Sequence, residues 1–180
     1  MNCKGGLWVD TAISEINQLW RRINQQEVRD LIDLLGNSKE KLIVGLGAGR
    51  MGYSVQAFIM RLAHLGYHAF MIGDTSLPRV NNNSIIIVNS SSGETPSICL
   101  FVEQCKAAGC FVVALTTNHK SFIGQNADFV VQIPKLETQQ LMKTIYEQFT
   151  FVFYDFIVYE LASKNNDDLY SIESNHSVLE

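Results

Sequence analysis

Five short runs rich in Ile, Val, Leu and Phe recur along the chain and constrain its fold more than any other feature. They occupy residues 41–45, 68–72, 84–89, 110–116 and 129–133. Each run is nearly continuous in apolar residues, which is typical of strands that are covered on both faces of a parallel sheet. Because helix-length segments alternate with them, the sequence predicts an α/β fold, a doubly wound five-stranded parallel sheet flanked by helices.

The segments around these runs predict the helices. One long amphipathic helix is expected over about residues 9–35, where Gly36 and Asn37 end it, and two shorter helices over 53–65 and 96–108. Another long helix is expected over about 138–163. It is apolar on all sides from 149 to 161, so we expect it to be buried in the core or at a subunit interface, and we predict an oligomer.

Composition narrows the possible functions. A chain of 180 residues predicts a single domain over 1–180, with a polar tail over about 164–180. The net charge is −4, and no cluster of Lys and Arg suits a nucleic-acid backbone. No apolar run is long enough to span a bilayer, and no signal-type segment opens the chain, so a cytoplasmic location without membrane contact is expected. The four cysteines lack zinc-site spacing, so no metal is expected.

A glycine-rich loop follows the first predicted strand. Gly47, Gly49 and Gly52 satisfy the G-x-G-x-x-G spacing of dinucleotide-binding turns, and Asp74 stands at the end of the second strand, where such domains bind ribose hydroxyls. A nicotinamide-binding protein is therefore one open interpretation. We rank it last because of the loop that follows the third strand.

That third loop carries several hydroxyls at the expected start of a helix. Residues 89–95 read Asn-Ser-Ser-Ser-Gly-Glu-Thr, and hydroxyls, backbone N–H groups and a positive helix end together form a phosphate cradle. An ordinary serine-rich turn with helix capping remains the alternative. Glu147, in the last predicted helix, is a candidate general base, although a surface carboxylate is the commoner role. His176 stands in the polar tail, where a lone histidine is usually solvated.

Several of these segments together resemble the 6-phospho-3-hexuloisomerases of the sugar isomerase (SIS) domain family. The matching segments are residues 47–52, 61–66, 73–75, 90–95 and 176–180. The resemblance covers nearly the whole chain and implies an SIS-type, flavodoxin-like sandwich. It also implies a homotetramer that interconverts 3-hexulose 6-phosphate and fructose 6-phosphate in the ribulose monophosphate pathway of formaldehyde fixation.

The resemblance also implies roles for single residues. Ser90, Ser91, Ser92 and Thr95 would bind the phosphate of the sugar, and Gly49 and Arg50 would line the same crevice. Glu147 would be the catalytic base, and His176 would reach the active site of a neighbouring subunit as a second catalytic group. Three departures from the family pattern stand out: Ser91 replaces a glycine, Lys143 replaces a glycine near the catalytic glutamate, and Asn175 and Val178 differ from the family's Arg-His-Ala-Asn-Leu-Glu ending.

An isomerase of this kind moves one proton between adjacent sugar carbons through an enediolate. It therefore requires a base, donors to the developing oxyanion and a distant phosphate anchor, but no cofactor. Arg50 together with hydroxyl and N–H groups is the expected oxyanion donor. The alternative from another functional class is a non-catalytic regulatory protein that binds phosphosugars, and solvent exchange into the sugar distinguishes the two.

Overall fold

Six α-helices and five strands make up the part of the chain that the structure describes, residues 5–165 of a computed structural model. The elements follow in the order α1 (Gly5–Arg22), α2 (Gln25–Gly36), β1 (Leu42–Gly47), α3 (Gly49–His64), β2 (His68–Met71), β3 (Ser84–Asn89), α4 (Pro96–Ala107), β4 (Phe111–Thr116), α5 (Phe122–Asn126), β5 (Phe129–Gln132), a 3₁₀ turn (Leu141–Lys143) and α6 (Ile145–Asn165).

The five strands form one all-parallel sheet in the order β2-β1-β3-β4-β5. This confirms the predicted α/β class and the five predicted strands, whose bounds differ by at most two residues from those expected. The order reverses its direction between β1 and β3. In sheets of this kind the ligand crevice lies outside the carboxyl ends of the strands at that reversal.

Helices cover both faces of the sheet, which explains why the strands are apolar throughout. On one face Ile43, Ile85 and Val113 pack in a core that includes side chains of α1, α2, α3 and α6. On the other face Val44 and Ile86 pack in a second core that includes side chains of α4 and α5. All six residues of β3 are buried, so this central strand has no solvent-facing side.

The predicted single helix over residues 9–35 is wrong, because the structure has two helices there. The break falls at Ile23 and Asn24, and Asn24 adopts extended backbone angles (φ −69°, ψ 105°). Its side-chain oxygen accepts a hydrogen bond from the N–H of Gln26 (2.9 Å), so the residue caps α2 rather than continuing α1. Ile23 is buried at the break, so the apolar spacing continues across it and hides it from a sequence pattern.

The last helix also differs from the expectation, since it begins at Ile145 rather than near residue 138. Met142 and Lys143 before it adopt left-handed backbone angles, with φ of 52° and 60°, which no α-helix accommodates. Only one side of α6 is buried, including Phe149 and Phe153, and the rest of the apolar surface stays exposed at Phe151, Val152 and Tyr159. Within residues 5–165, no helix combines the length and apolarity that a membrane span requires.

Two of the loop glycines are explained by packing between β1 and α3. A Cβ on Gly52 would lie 2.8 Å from the carbonyl oxygen of Gly47, and a Cβ on Gly47 would lie 2.9 Å from the Cα of Gly52. Backbone cannot move aside as a flexible side chain can. The helix therefore starts in direct contact with the strand end, and the glycine spacing is required without any bound dinucleotide.

Replacing Gly52 with alanine is therefore expected to destabilise the protein by about 1–3 kcal/mol, the usual cost of overpacking. Chemical denaturation of the two proteins measures this difference. Gly36→Ala is the matched control, because its Cβ would meet only Leu161 Cδ2 at an ordinary 3.8 Å. Equal stability of Gly52→Ala and wild type would show that the turn relaxes freely.

Candidate active site

A cleft of about 930 Å³ opens at the carboxyl ends of the strands. Its walls come from the loops after β1, β3 and β4, from the segment that follows β5, and from the start of α6. The loops after β1 and β3 flank the point where the strand order reverses. The cleft therefore lies where the topology of the sheet predicts a ligand site.

The serine loop, residues 90–95, is fastened to the end of β4. The carbonyl oxygen of Ser91 accepts hydrogen bonds from the N–H of Thr117 (3.0 Å) and from the hydroxyls of Thr117 (2.8 Å) and Thr116 (3.2 Å). Ser91 has no left-handed backbone angle, so a serine in place of the family's glycine causes no backbone strain. Donors at the end of β4 and just after it thus hold the loop in shape through the carbonyl oxygen of Ser91.

The conformation of the serine loop requires glycine at position 93. Its φ is 69°, and a Cβ there would lie 1.9 Å from the Ser121 hydroxyl oxygen, so the position excludes every other residue on two grounds. The carbonyl oxygen of Gly93 accepts a hydrogen bond from the N–H of Ile123 (3.0 Å). The loop is therefore packed tightly against the segment that begins α5.

The serine loop presents unused hydrogen-bond donors at the start of α4. The N–H groups of Ser91, Ser92 and Thr95 meet no acceptor within the described residues. Thr95 is the N-cap residue of α4, but its hydroxyl makes no capping bond and lies 3.4 Å from the Ser90 hydroxyl. Free N–H groups, adjacent hydroxyls and the positive end of a helix are the means by which proteins bind a phosphate without lysine.

Glu147 lines the same cleft from the first turn of α6. Its side chain is 18% exposed, and it forms an ion pair with Arg50, whose Nε donates to Glu147 Oε2. Arg50 lies in the first turn of α3, so the pair joins the starts of two helices. The ion pair holds the carboxylate at one place in the cleft wall.

A buried network of hydrogen bonds connects the end of β3 to the backbone of Glu147. The side-chain NH₂ of Asn89 donates to the carbonyl oxygen of Met51 (2.9 Å) and to the hydroxyl of Ser54 (2.7 Å). The hydroxyls of Ser54 and Thr150 share a hydrogen bond of 2.9 Å, and Thr150 donates to the carbonyl oxygen of Glu147 (3.0 Å). The end of β3 is thereby tied to the helical turn that carries Glu147.

The structure brings most of the predicted site residues together. Five of them line the cleft: Ser90, Ser91, Ser92, Thr95 and Glu147. Gly49 and Arg50 were expected to line it too, but their neighbours Ala48 and Met51 do so instead. Gly49 shapes the turn through its φ of 55°, and Arg50 reaches the site only through its ion pair with Glu147. His176 lies outside the described residues.

The cleft also contains groups that the sequence analysis missed. Lys135 and Thr138 follow β5, and Lys143 lies in the turn before α6. Lys135 could have been found from its position just after the fifth strand. It was missed because that strand-end loop carries no glycine or serine motif. Lys143 was noted only as a departure from the family pattern, and its place in the cleft was missed because it depends on the unpredicted turn.

Asp74 has a local structural role. Its Oδ2 accepts a hydrogen bond from the N–H of Met71 (2.8 Å) in the turn that ends β2, and it is absent from the walls of the cleft. The features that suggested nicotinamide binding are thus explained by a turn and by helix packing. Among the described residues, no group of three His, Cys, Asp or Glu side chains is arranged to hold a metal ion.

The three described cysteines lie outside the cleft and are free. Cys105 and Cys110 are buried, and Cys99 is half-buried. Burial raises the pKa of Cys105 to about 11 and also raises the pKa of Cys99 and Cys110. The protonated thiol is therefore the form present near neutral pH.

Comparisons of the sequence and of the structure with known proteins point to the same family. The SIS domain family model matches residues 38–157. The 3-hexulose-6-phosphate isomerase of Bacillus subtilis is 30% identical over 182 residues, which cover 96% of this chain and 97% of that protein. The enzyme of the same name from Methanocaldococcus jannaschii is 27% identical over 164 residues, which cover 91% of this chain and 87% of that protein.

A solved structure agrees with these matches. It is that of a hypothetical protein from Methanococcus jannaschii for which a function of 3-hexulose-6-phosphate isomerase was inferred. The two chains share 25% identity with a TM-score of 0.84, over 96% of this chain and 98% of the other. The family model alone spans well over half of the sequence and includes the serine loop and Glu147. The chain therefore belongs to the SIS domain family.

Proposed function

We propose that this chain is a phosphosugar isomerase that interconverts 3-hexulose 6-phosphate and fructose 6-phosphate. The observation that carries the proposal is that the serine loop and Glu147 line one cleft. A phosphate anchor and a carboxylate base are the two groups that the reaction needs. Membership of the SIS family and relatives named 3-hexulose-6-phosphate isomerase support the same activity.

In this mechanism the serine loop binds the phosphate, with Ser90, Ser92 and Thr95 donating hydroxyl hydrogen bonds. Glu147 removes the proton from C3 of fructose 6-phosphate, and the electron pair of that C–H bond forms the 2,3-enediolate. The proton then returns to C2, and the hydroxyl proton moves from the oxygen on C3 to the oxygen on C2. Binding energy from the distant phosphate holds the reacting carbons against the carboxylate.

The proposal is tested by incubating the protein with fructose 6-phosphate in deuterated water and following the sugar by NMR. An isomerase incorporates deuterium at C3 of fructose 6-phosphate and produces a 3-ketose with deuterium at C2. Binding of fructose 6-phosphate without any exchange would instead support the non-catalytic regulatory alternative. Thermal stabilisation by NAD and none by fructose 6-phosphate would support the nicotinamide alternative.

We further propose that the protein acts as a homo-oligomer, with a tetramer favoured by the family resemblance. Two helices of the isolated chain expose apolar side chains: Leu7, Trp8, Val9 and Ile13 on α1, and Phe151, Val152 and Tyr159 on α6. Exposed apolar surface of this extent is typical of an interface between subunits. Analytical ultracentrifugation measures the assembly, and a monomer at micromolar concentration would contradict it.

Deleting residues 174–180 is expected to impair turnover, because the deletion removes His176, the proposed second catalytic group. Histidine titrates near neutral pH and is suited to shuttle protons to sugar oxygens. Steady-state kinetics measure the effect. Mixing the truncated protein with a Glu147 variant tests action across subunits, since hybrid oligomers would regain activity. Normal turnover of the truncated protein would remove His176 from the mechanism.

A further inference from the structure

The turn that precedes α6 holds two consecutive residues in a left-handed conformation. Met142 has a φ of 52° and Lys143 a φ of 60°, and neither is a glycine. Each such residue is disfavoured because its Cβ approaches the following carbonyl oxygen. Backbone strain of this kind persists only where the surrounding structure enforces it, and it concentrates at functional sites.

The surrounding structure does enforce this turn. Glu15 on α1 is buried, and its Oε2 accepts hydrogen bonds from Thr138 Oγ1 (2.9 Å) and Gln140 Nε2 (2.7 Å). At the other end of the turn, the Thr144 hydroxyl donates to the carbonyl oxygen of Leu141 (2.7 Å). These contacts fix both ends of the strained segment, so its conformation does not depend on a ligand.

The strained turn brings the side chain of Lys143 to the wall of the cleft, four positions before Glu147. Within the part of the chain that the structure describes, no carboxylate lies within ion-pairing distance of its ammonium group. Arg50, the donor first expected at the oxyanion, is paired with Glu147 and lies outside the cleft wall. Among the described residues, the cleft walls thus contain two lysines without an ion pair, Lys135 and Lys143, and Lys143 is the one in the turn that leads into the helix of the proposed base.

We infer that Lys143 contacts the oxygen on which negative charge develops when Glu147 removes the proton, and that the left-handed turn places it there. This inference rests on the proposed function. The phosphate end of the sugar is already provided for by the hydroxyls and N–H groups of the serine loop. The reacting end needs a donor close to the base, because the developing oxyanion is one bond away from the carbon that loses its proton.

The test compares Lys143→Gln, Lys143→Gly and Lys143→Arg with wild type. We expect the glutamine and glycine variants to lose at least about tenfold in kcat for fructose 6-phosphate, because one oxyanion donor is removed, while KM changes by less than about threefold. The arginine variant should retain more activity than either. Lys39→Gln is the control for loss of one charge, since Lys39 precedes the amino end of β1, whereas the cleft lies at the carboxyl ends of the strands.

Two further measurements separate a substrate contact from a structural role. The glycine variant should melt a few degrees above wild type, because glycine adopts a positive φ without strain. The glutamine variant should bind erythronate 4-phosphate at least about tenfold more weakly than wild type does, since the carboxylate of this compound lies at the position of C3 and mimics the 2,3-enediolate. Its affinity for inorganic phosphate, which reports the serine loop alone, should stay unchanged.

Several results would overturn the inference. A wild-type kcat in the glutamine variant would exclude the contact. If that variant lost as much affinity for inorganic phosphate as for the enediolate mimic, the ammonium group would lie at the phosphate end of the sugar. An unchanged melting temperature in the glycine variant would exclude the backbone strain. If wild type fails to isomerise fructose 6-phosphate, the proposed function fails. In that case the affinities for erythronate 4-phosphate still decide whether Lys143 contacts an anion at that end of the cleft.

Discussion

Glu147→Gln is expected to lower turnover of fructose 6-phosphate by about 10²- to 10⁴-fold, the usual contribution of a general base. Glutamine has nearly the same shape but cannot accept the proton from the sugar carbon. Binding should persist, because the serine loop that anchors the phosphate is unchanged. Steady-state kinetics together with calorimetric titration of fructose 6-phosphate measure both effects.

The matched control for this substitution is Glu160→Gln, which makes the same chemical change on the same helix, outside the walls of the cleft. The ion pair with Arg50 requires a second check, since its loss also changes the start of α3. Equal melting temperatures of the variant and wild type would show that this change is local. Turnover within a few fold of wild type would exclude Glu147 as the base.

Removing hydroxyls from the serine loop should have the second largest effect, and it should act on affinity. A hydrogen bond to a charged group contributes about 1.5–3 kcal/mol, so Thr95→Val or Ser90→Ala should each weaken binding of fructose 6-phosphate about 10- to 150-fold. Thr95→Val is the cleaner of the two, because its hydroxyl makes no bond to the helix that it caps. The fold therefore loses little when that hydroxyl is removed.

Calorimetry with both fructose 6-phosphate and inorganic phosphate tests this expectation. The affinity of each variant for both ligands should fall, because both bind through the phosphate. Thr75→Val, in the connection between β2 and β3, removes a threonine hydroxyl away from the cleft and serves as the control. If Thr95→Val and Ser90→Ala both retained full affinity for both ligands, the phosphate would have to bind elsewhere.

The parts that were predictable from the sequence depend on local pattern. Strand β3 was expected over 84–89 and occupies Ser84–Asn89, because an unbroken apolar run followed by a polar loop has few other solutions. The position of the serine loop follows directly, since the carboxyl end of a central parallel strand leads to the crevice. Glu147 lines the cleft as expected, although its role stays a prediction.

The parts that were not predictable depend on contacts between distant residues. Arg50 pairs with Glu147 across 97 positions of the chain, and Glu15 holds Gln140 across 125. No local pattern encodes such pairs, so the turn before α6 and the placement of Lys143 could not be anticipated. The break between α1 and α2 was missed for a different reason, because buried Ile23 continues the helical spacing across it.

The order of the strands also has a consequence for how the proposed active site forms. Strands β1 and β3 pair side by side although β2 lies between them in the chain, and Glu147 arrives only with α6, the last described element. Pairings of this kind form slowly, because much chain entropy is lost before the contacts compensate for it. Recovery of the proposed isomerase turnover after dilution from denaturant should therefore lag behind recovery of helical circular dichroism, and the delay would measure the last step of folding.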